Sequence, residues 1–240
     1  MDYLFILAVG LAAGTIGGIV GFGSSIMLMP VLVIVFGPLQ AVPIMAIAAI
    51  MANFARILVW WREVDWRTCF AYSATAMPCA ALGAGTLLVL PARVIEAGLG
   101  VFFLCMIAFR RWAAPQHWKL GRGHLALIGV PFGYITGVAV STGPLTAPVF
   151  LGAGLVKGAF ISTEAAASLM VYLAKTAVFR NFGALPLDII LKGMVVGSTL
   201  MAGAVIAKRF VLRMDAERFR LLMDSLLLLS GLALLWTAFF

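Results

Sequence analysis

The stretch GGIVGFGSS, Gly17 to Ser25, interrupts a hydrophobic run with glycines and hydroxyl side chains, and it decides how the chain is interpreted. A helix broken at this point leaves backbone N–H groups that lipid cannot satisfy. Such a break is tolerated inside a membrane only where protein or a water-filled cavity covers it. A looser copy, GVAVSTGP, recurs from Gly137 to Pro144. Paired interruptions at matching places in two halves indicate a ligand site near the middle of the membrane.

The composition predicts a polytopic membrane protein. Of the 240 residues, 64% are hydrophobic and only 11% are charged, and the mean hydropathy is +1.12. Soluble domains are about half apolar and about a quarter charged. The net charge of +8 would suggest nucleic acid only if the basic residues formed a soluble face. They lie instead in short gaps between apolar runs, where basic residues set membrane orientation, so we expect no nucleic-acid partner.

The apolar segments repeat in the same order in both halves. Gly14 and Gly18 each fall 119 residues before Gly133 and Gly137. Because a spanning helix needs about 20 apolar residues, the second member of each broken pair is too short to cross comfortably. The predicted segments are 3–20, 26–36, 41–61, 68–89 and 94–109, then 125–140, 145–155, 159–179, 189–207 and 219–238.

The predicted fold is therefore an all-α polytopic membrane protein with two inverted repeats. Each repeat has a broken or re-entrant helix pair followed by three spanning helices, about 8–10 helices in all. The first transmembrane repeat covers residues 1–112, a basic cytoplasmic hinge covers 113–124, and the second repeat covers 125–240. If the N-terminus and C-terminus are both outside, twelve basic residues fall in cytoplasmic joints and two outside, which favours this orientation. The same count holds if each broken pair crosses the membrane twice.

Polar residues within the spans are the first candidates for a site. Arg56 and Lys175 lie deep in their segments, again 119 residues apart. An arginine at a helix centre costs about 2.5–3.5 kcal/mol to insert, so such residues usually face a cavity or a partner. Asn53 shares a helical face with Arg56, and Lys175 ends a polar stripe of Glu164, Ser168 and Tyr172. Alternatively, Arg56 and Lys175 snorkel to opposite surfaces and Glu164 is an interfacial residue.

The two breaks supply backbone donors. One helix begins after Gly23 with Ser24 and Ser25, and another begins near Gly143 and Pro144. Each helix N-terminus carries about half a positive charge, so two of them facing one cavity form an anion site. Alternatively, the glycines only permit close helix packing. The predicted substrate-binding residues are Phe22, Gly23, Ser24, Ser25, Asn53, Arg56, Ser141, Thr142, Gly143, Ser168, Tyr172 and Lys175, with Glu164 as the candidate for coupling to protons.

At these residues the sequence resembles a known family. GTIGGIVGFGSSIMLMPVL, residues 14–32, resembles the glycine-rich signature of the sulfite exporter TauE/SafE family, and GYITGVAVSTGPLTAPVFL, residues 133–151, resembles the second signature. Ser24-Ser25 and Ser141-Thr142 stand where the family carries a glycine run. The resemblance implies a carrier in a bacterial inner membrane for small sulfur-containing anions such as sulfite or organosulfonates. The count of basic residues given above then predicts that both termini of this multi-pass protein are periplasmic.

Secondary transport of a small anion, with export favoured, is the leading hypothesis, because the chain has no Walker-type nucleotide motif. An anion channel of the same architecture is one alternative. A membrane-embedded enzyme is a weaker one, since His117 and His124 lie in the hinge without a neighbouring metal ligand. We expect no catalytic residue, metal or cofactor. The expected partners are a small anionic substrate and the lipid bilayer, and a homo-oligomer is left open.

Overall fold

The computed structural model describes residues 2–20, 23–113, 119–139, 143–207, 225, 228–229 and 231–236. These residues form helices joined by short turns, and no strand occurs among them. The helices are α1 (Asp2–Val20), α2 (Ser24–Phe36), α3 (Pro38–Val59), α4 (Trp66–Val89), α5 (Ala92–Ala113), α6 (Arg122–Val138), α7 (Gly143–Gly152), α8 (Lys157–Asn181) and α9 (Leu187–Ala207), with a 3-10 turn at Trp61–Glu63. Residues 231–236, inside the last predicted segment, are helical as well.

The predicted all-α membrane fold is confirmed. Four helices are long and apolar enough to cross a bilayer, namely α3, α4, α9 and the part of α5 from Ala92 to Phe109. By contrast, α2 has 13 residues and α7 has 10. At 1.5 Å per residue, helices of these lengths reach about 20 Å and about 15 Å, short of the roughly 30 Å apolar core. α5 ends at Ala113 and α6 begins at Arg122, and the division of the chain at a hinge over 113–124 remains a prediction.

The first break separates α1 from α2 at a glycine that the backbone requires. Gly23 has φ 110°, in the left-handed region that side chains other than glycine rarely adopt. Directly after it, Ser24 packs against α1, since a Cβ placed on Gly17 would lie 2.9 Å from the Ser24 Cβ. The start of α2 is therefore buried against the last turns of α1.

The helices of the predicted halves pack across the molecule on one another. α1 packs on α9, α6 packs on α4, and α3 and α8 touch each other. Small residues allow these close approaches: a Cβ on Gly14 would lie 2.7 Å from the Leu200 Cα, and Gly133 meets the backbone of Ala76. In the predicted repeat α1 corresponds to α6 and α9 corresponds to α4, so the contact of α1 with α9 corresponds to the contact of α6 with α4. The inversion of the repeats remains a prediction.

Three of the basic joints lie at the same end of the bundle. The joint after α3 packs on the start of α8, where Gly158 meets the Trp60 and Glu63 side chains. The Asp65 N–H donates to the Thr163 hydroxyl over 2.9 Å. The hinge lies at this end too. Its Leu120 N–H donates over 2.9 Å to the carbonyl of Gly152, at the end of α7, and the short turn after α7 leads directly into α8. The fourth predicted joint, 208–220, lies outside the described residues.

Asp65 also caps the start of α4. Its carboxylate accepts hydrogen bonds from the N–H groups of Arg67 and Thr68, at 3.0 and 3.3 Å, and from the Thr68 hydroxyl at 2.6 Å. The Thr68 hydroxyl is the largest of the causes that hold the pKa of Asp65 below its usual value. The stabilisation from this cap is therefore present at neutral pH and is lost only as the pH falls through the lowered pKa.

The arrangement of the joints predicts the outcome of cysteine labelling. Single cysteines at Arg62, Lys119 and Val156 should all react with a membrane-impermeant maleimide from one side of the membrane. Cysteines at Gln40 and Phe182 should react from the other side. Gln40 accepts a hydrogen bond from Lys192 near the start of α9, and Phe182 lies in the joint just before α9. Positive-inside orientation predicts that the first set is cytoplasmic.

The labelling background replaces Cys69, Cys79 and Cys105 with alanine. Labelling of intact cells is compared with labelling of inverted membrane vesicles. A joint from the first set that reacts only from the same side as Gln40→Cys would contradict the arrangement.

The close approach of α6 to α4 predicts that Gly133→Ala lowers the melting temperature of the detergent-solubilised protein. The added methyl group would overlap the Ala76 backbone, and overpacking of this kind typically costs about 1–3 kcal/mol. Gly98→Ala is the matched control, because a Cβ on Gly98 meets nothing within 4 Å. Equal melting temperatures for the two variants would show that the helices do not approach each other so closely.

Candidate functional site

Arg56 and Asn53 form the first part of the site, on the last turns of α3. The Arg56 side chain is buried, with 7% of its surface exposed, and Asn53 is buried beside it. One arm of the guanidinium, Nη2, donates a hydrogen bond to Asn53 Oδ1. The guanidinium therefore lies inside the bundle, and snorkelling to the surface does not describe it.

Glu164 faces this pair from α8. It is 3% exposed, so it is an interior carboxylate rather than an interfacial one. Its Oε2 lies 3.7 Å from Arg56 Nη1, and its Oε1 accepts a hydrogen bond from the Ser168 hydroxyl at 2.8 Å. Because α3 and α8 belong to different predicted halves, this ion pair joins the two halves in the interior.

The start of α7 reaches the same carboxylate. Thr146 Oγ1 lies 3.4 Å from Glu164 Oε1 and 3.2 Å from the carbonyl oxygen of Gly143, the first residue of α7. A hydroxyl has one proton to donate, so Thr146 serves one of these acceptors at a time. A continuous polar path thus runs from the start of α7 through Thr146 and Glu164 to Arg56.

The ion pair is not closed by a hydrogen bond. Within the described chain, Arg56 Nη1 and Glu164 Oε2 are both buried and make no hydrogen bond, and their separation of 3.7 Å is too long for one. An unsatisfied buried polar group costs about 1–3 kcal/mol. Native proteins tolerate such a cost mainly where a bound water, an ion or a function accounts for it. Arg56 Nη1 is therefore able to donate a hydrogen bond to an anion, and Glu164 Oε2 is able to accept a proton.

Two tyrosines border the pair. Tyr172, on the polar stripe of α8, lies within electrostatic range of Arg56, and Tyr72 on α4 lies within range of Glu164. Both side chains are buried. The Tyr72 ring packs on Phe150 of α7, with 5.3 Å between ring centroids. Residues from α3, α4, α7 and α8 thus surround the charged pair.

Lys175 has a different environment from Arg56. Its side chain is fully buried, so it does not snorkel to the surface either. The ammonium donates to the carbonyl oxygens of Thr136 and Ala139, at 3.0 and 2.8 Å, and lies 5.5 Å from the centre of the Phe179 ring. These carbonyls belong to the C-terminal end of α6, immediately before the second break. Lys175 therefore neutralises the negative end of a broken helix.

The remaining predicted site residues are placed as follows. Gly23, Ser24, Ser25 and Gly143 are buried at the starts of α2 and α7, and Ser168 is half-buried. The residues that the structure brings together around Arg56 are Asn53, Glu164, Ser168 and Tyr172, with the first turn of α7. Phe22, Ser141 and Thr142 lie outside the described residues. The meeting of the two breaks, and the binding of substrate by any of these residues, remain predictions.

Sequence reasoning missed Thr146 and Tyr72. Thr146 lies three residues after Gly143, so a hydroxyl in the first turn of a helix that follows a break was the available signal. Tyr72 had no such signal, because a single tyrosine in an apolar span is common at packed interfaces between helices. The acceptors of Lys175 were also hidden, since every residue offers a carbonyl oxygen and only the fold decides which ones are near.

Of the two histidines considered for a membrane-embedded enzyme, the structure describes His124. His124 is exposed in the first turn of α6, and its Nδ1 accepts a hydrogen bond from the Gly121 N–H at 3.3 Å. His117 lies outside the described residues. Among the residues that the structure does describe, no three His, Cys, Asp or Glu side chains are grouped so that they could hold a metal ion.

A helical membrane bundle with two broken helices and a buried charged site has the architecture of a membrane transporter. The sequence profile of the sulfite exporter TauE/SafE family matches residues 6–234, and the chain belongs to this family. It is similar to "Probable membrane transporter protein YjnA" of Bacillus subtilis (strain 168), with 24% identity over 254 residues that cover 96% of this chain and 98% of that protein. No solved structure matches the chain. The protein is thus a multi-pass membrane transporter.

The contacts of Lys175 predict that Lys175→Met destabilises the protein. The substitution removes two charge-assisted hydrogen bonds to the end of α6, and bonds of this kind each contribute about 1.5–3 kcal/mol. In a chain of this size a loss of about 1 kcal/mol lowers the melting temperature by roughly 2–4 °C. We expect a decrease of at least about 5 °C in detergent, on the same scale.

Lys192→Met is the matched control. Lys192 is partly exposed near the start of α9, where it contacts Asp188 at 3.4 Å and Gln40 at 3.2 Å. Surface ion pairs contribute little, about 0–1 kcal/mol, so this variant should melt close to the wild type. Similar melting temperatures for Lys175→Met and the wild type would contradict the capping role.

Proposed function

We propose that this transporter is a secondary exporter of a small sulfur-containing anion, such as sulfite or an organosulfonate, which binds at Arg56 between the two broken helices. The observation that carries the proposal is the free Nη1 edge of a buried arginine. A guanidinium with an unused donor edge in an apolar interior attracts an anion that can approach it.

The start of α7 adds to the attraction. The first N–H groups of a helix have no partner within the helix, and the helix start is the positive end of its dipole. Thr146, in the first turn of α7, lies 3.4 Å from Glu164. Arg56 in turn contacts the same carboxylate. Arg56 on α3 and the first turn of α7 therefore both lie next to the Glu164 carboxylate. Together they offer an anion more hydrogen-bond donors than either would alone.

The chemistry of sulfite and sulfonates fits these donors. Each of these anions carries three oxygens around one sulfur atom, so it accepts hydrogen bonds from several directions at once. The free Nη1 nitrogen of Arg56 carries two N–H donors, while helix-end N–H groups supply single ones. The description of the family as sulfite exporters supports both the substrate class and the direction.

The location of the pair suits transport. Arg56 and Glu164 come from different predicted halves, so a movement of one half against the other would break or restore their contact. An anion that replaces Glu164 as the partner of Arg56 would favour the broken arrangement. We place the protein in a bacterial inner membrane with both termini outside, supported by the charge asymmetry of its joints.

The proposal predicts the outcome of a flux experiment in proteoliposomes loaded with radiolabelled sulfite or methanesulfonate. Wild-type protein should release at least one of these anions, and an unlabelled anion added outside should accelerate the exchange. Arg56→Gln should reduce the rate at least about tenfold, the effect of losing roughly 1.4 kcal/mol of interaction. Release that is indifferent to anion on the opposite side would favour a channel instead.

Two controls separate loss of binding from loss of fold. Arg180→Gln changes an exposed arginine at the end of α8 and should leave the rate within about twofold, since surface changes are usually worth less than about 0.5 kcal/mol. The double variant Arg56→Gln with Glu164→Gln removes both charges, so no buried charge is left unpaired. If this double variant transports normally, or if the wild type moves neither anion, the proposed function is wrong.

A further inference from the structure

The ionised carboxylate of Glu164 lies where it would repel an anion bound at Arg56. Its free oxygen, Oε2, lies 3.7 Å from the free nitrogen of Arg56. An anion that accepts a hydrogen bond from Nη1 therefore comes within a few ångströms of Oε2. Inside a water-poor bundle, two negative charges at this separation repel each other strongly.

The other atoms of the pair are already committed. Glu164 Oε1 accepts from Ser168 and lies near Thr146, while Arg56 Nη2 donates to Asn53. Both side chains are thus held from one side, and neither can easily turn away. The atoms left to respond to an anion are Nη1 and Oε2.

We propose that Glu164 is the proton-binding residue of this site, and that it takes up one proton when an anion binds at Arg56. The inference rests on the proposed function, because it requires an anion at Arg56. The proton comes from the solvent and binds to Oε2. The resulting O–H group then donates a hydrogen bond to the anion, so a repelling neighbour becomes a ligand.

Among the side chains that face one another at Arg56 and Glu164, Glu164 is the one that changes its charge with pH. Among the described residues, the charged and titratable side chains that face it are Arg56 from α3 and Tyr72 from α4, and Tyr172 from α8 lies within electrostatic range of Arg56. Arginine stays charged, and tyrosines stay neutral, across the working range of about pH 5.5 to 8.5. The part of α7 that faces Glu164 contributes the hydroxyl of Thr146. Lys175, on the same helix, donates to the end of α6 and is not its partner.

The linkage between proton and anion is reciprocal. If the anion raises the affinity of the site for a proton, a proton must raise the affinity for the anion by the same factor. Anion affinity should therefore increase as the pH falls, with a limiting slope of about tenfold per pH unit for one linked proton. Without substrate, the ionised carboxylate remains the counter-ion of Arg56.

The test uses methanesulfonate, because its single negative charge does not change between about pH 5.5 and 8.5, unlike that of sulfite. Binding to the detergent-solubilised protein is measured by calorimetry across this range. Wild-type affinity should rise at least about tenfold from the highest to the lowest pH. Glu164→Gln should bind with an affinity that does not change with pH and matches the wild type at low pH.

A second measurement needs no variant. Methanesulfonate is added to wild-type protein in weakly buffered solution, and a pH indicator reports the protons removed from the solvent. About one proton per bound anion is expected near the pH where affinity changes most steeply. Asp188→Asn, which alters an exposed carboxylate at the start of α9, is the matched control and should keep the wild-type pH dependence.

The outcomes separate the two proposals. Methanesulfonate binding that is independent of pH in the wild type, or that keeps its pH dependence in Glu164→Gln, would overturn the role of Glu164 and leave anion binding intact. Binding without proton uptake would do the same. If wild-type protein binds neither methanesulfonate nor sulfite at any pH, the proposed function itself fails, and the inference fails with it.

Discussion

The backbone at a broken helix must find partners inside the bundle, and this requirement organises the second half of the structure. α6 ends at Val138 and α7 begins at Gly143, so one helix end of each sign is buried near the other. α8 runs beside both ends. Its Lys175 donates to the carbonyl groups at the negative end of α6, and its Glu164 lies beside the first turn at the positive end of α7. The two charges on α8 thus match the helix dipoles they face.

Arg56 and Lys175 occupy equivalent positions of the predicted repeat but act on different partners. Lys175 contacts backbone carbonyls within its own half, whereas Arg56 contacts a carboxylate of the other half. The chemistry of the two side chains is consistent with this division. An ammonium is a compact charge that fits between two carbonyl groups, while a guanidinium presents separate edges to separate partners. Arg56 can therefore hold Asn53 with one arm and keep the other for a second partner.

The helix order could be predicted from sequence because membrane insertion leaves a strong signal. Apolar runs, glycine-rich breaks and basic joints each depend on local composition, and the observed helix ends lie close to the predicted ones. The polar stripe from Glu164 to Lys175 was also visible as a helical spacing. Local patterns cannot show which helices meet. The contact between Arg56 and Glu164 depends on how α3 and α8 cross, and two long side chains at equivalent positions gave no sign that they point to different partners.

The sequence predicted that Arg56 and Lys175 serve one anion site, but it could not show the backbone partners of Lys175. Their charge, their depth in the spans and their matching positions in the two halves suggested that Arg56 and Lys175 act together on a substrate. The structure engages Lys175 with the end of α6, and this end carries the equivalent of about half a negative charge. Its positive charge is thus partly compensated before any ligand is considered, a compensation that no side-chain pattern in the sequence records.

The balance of buried charge favours a ligand with a single negative charge. Among the described residues, the buried charged side chains are Arg56, Lys175 and Glu164, two cations and one carboxylate. The end of α6 compensates Lys175 in part, and ionised Glu164 compensates Arg56. Buried charges are costly unless they are paired, so a monoanion that enters the site while Glu164 becomes neutral keeps Arg56 paired throughout. A dianion would bring one more negative charge, which the donors of α7 would have to stabilise without a further cation among the described buried side chains.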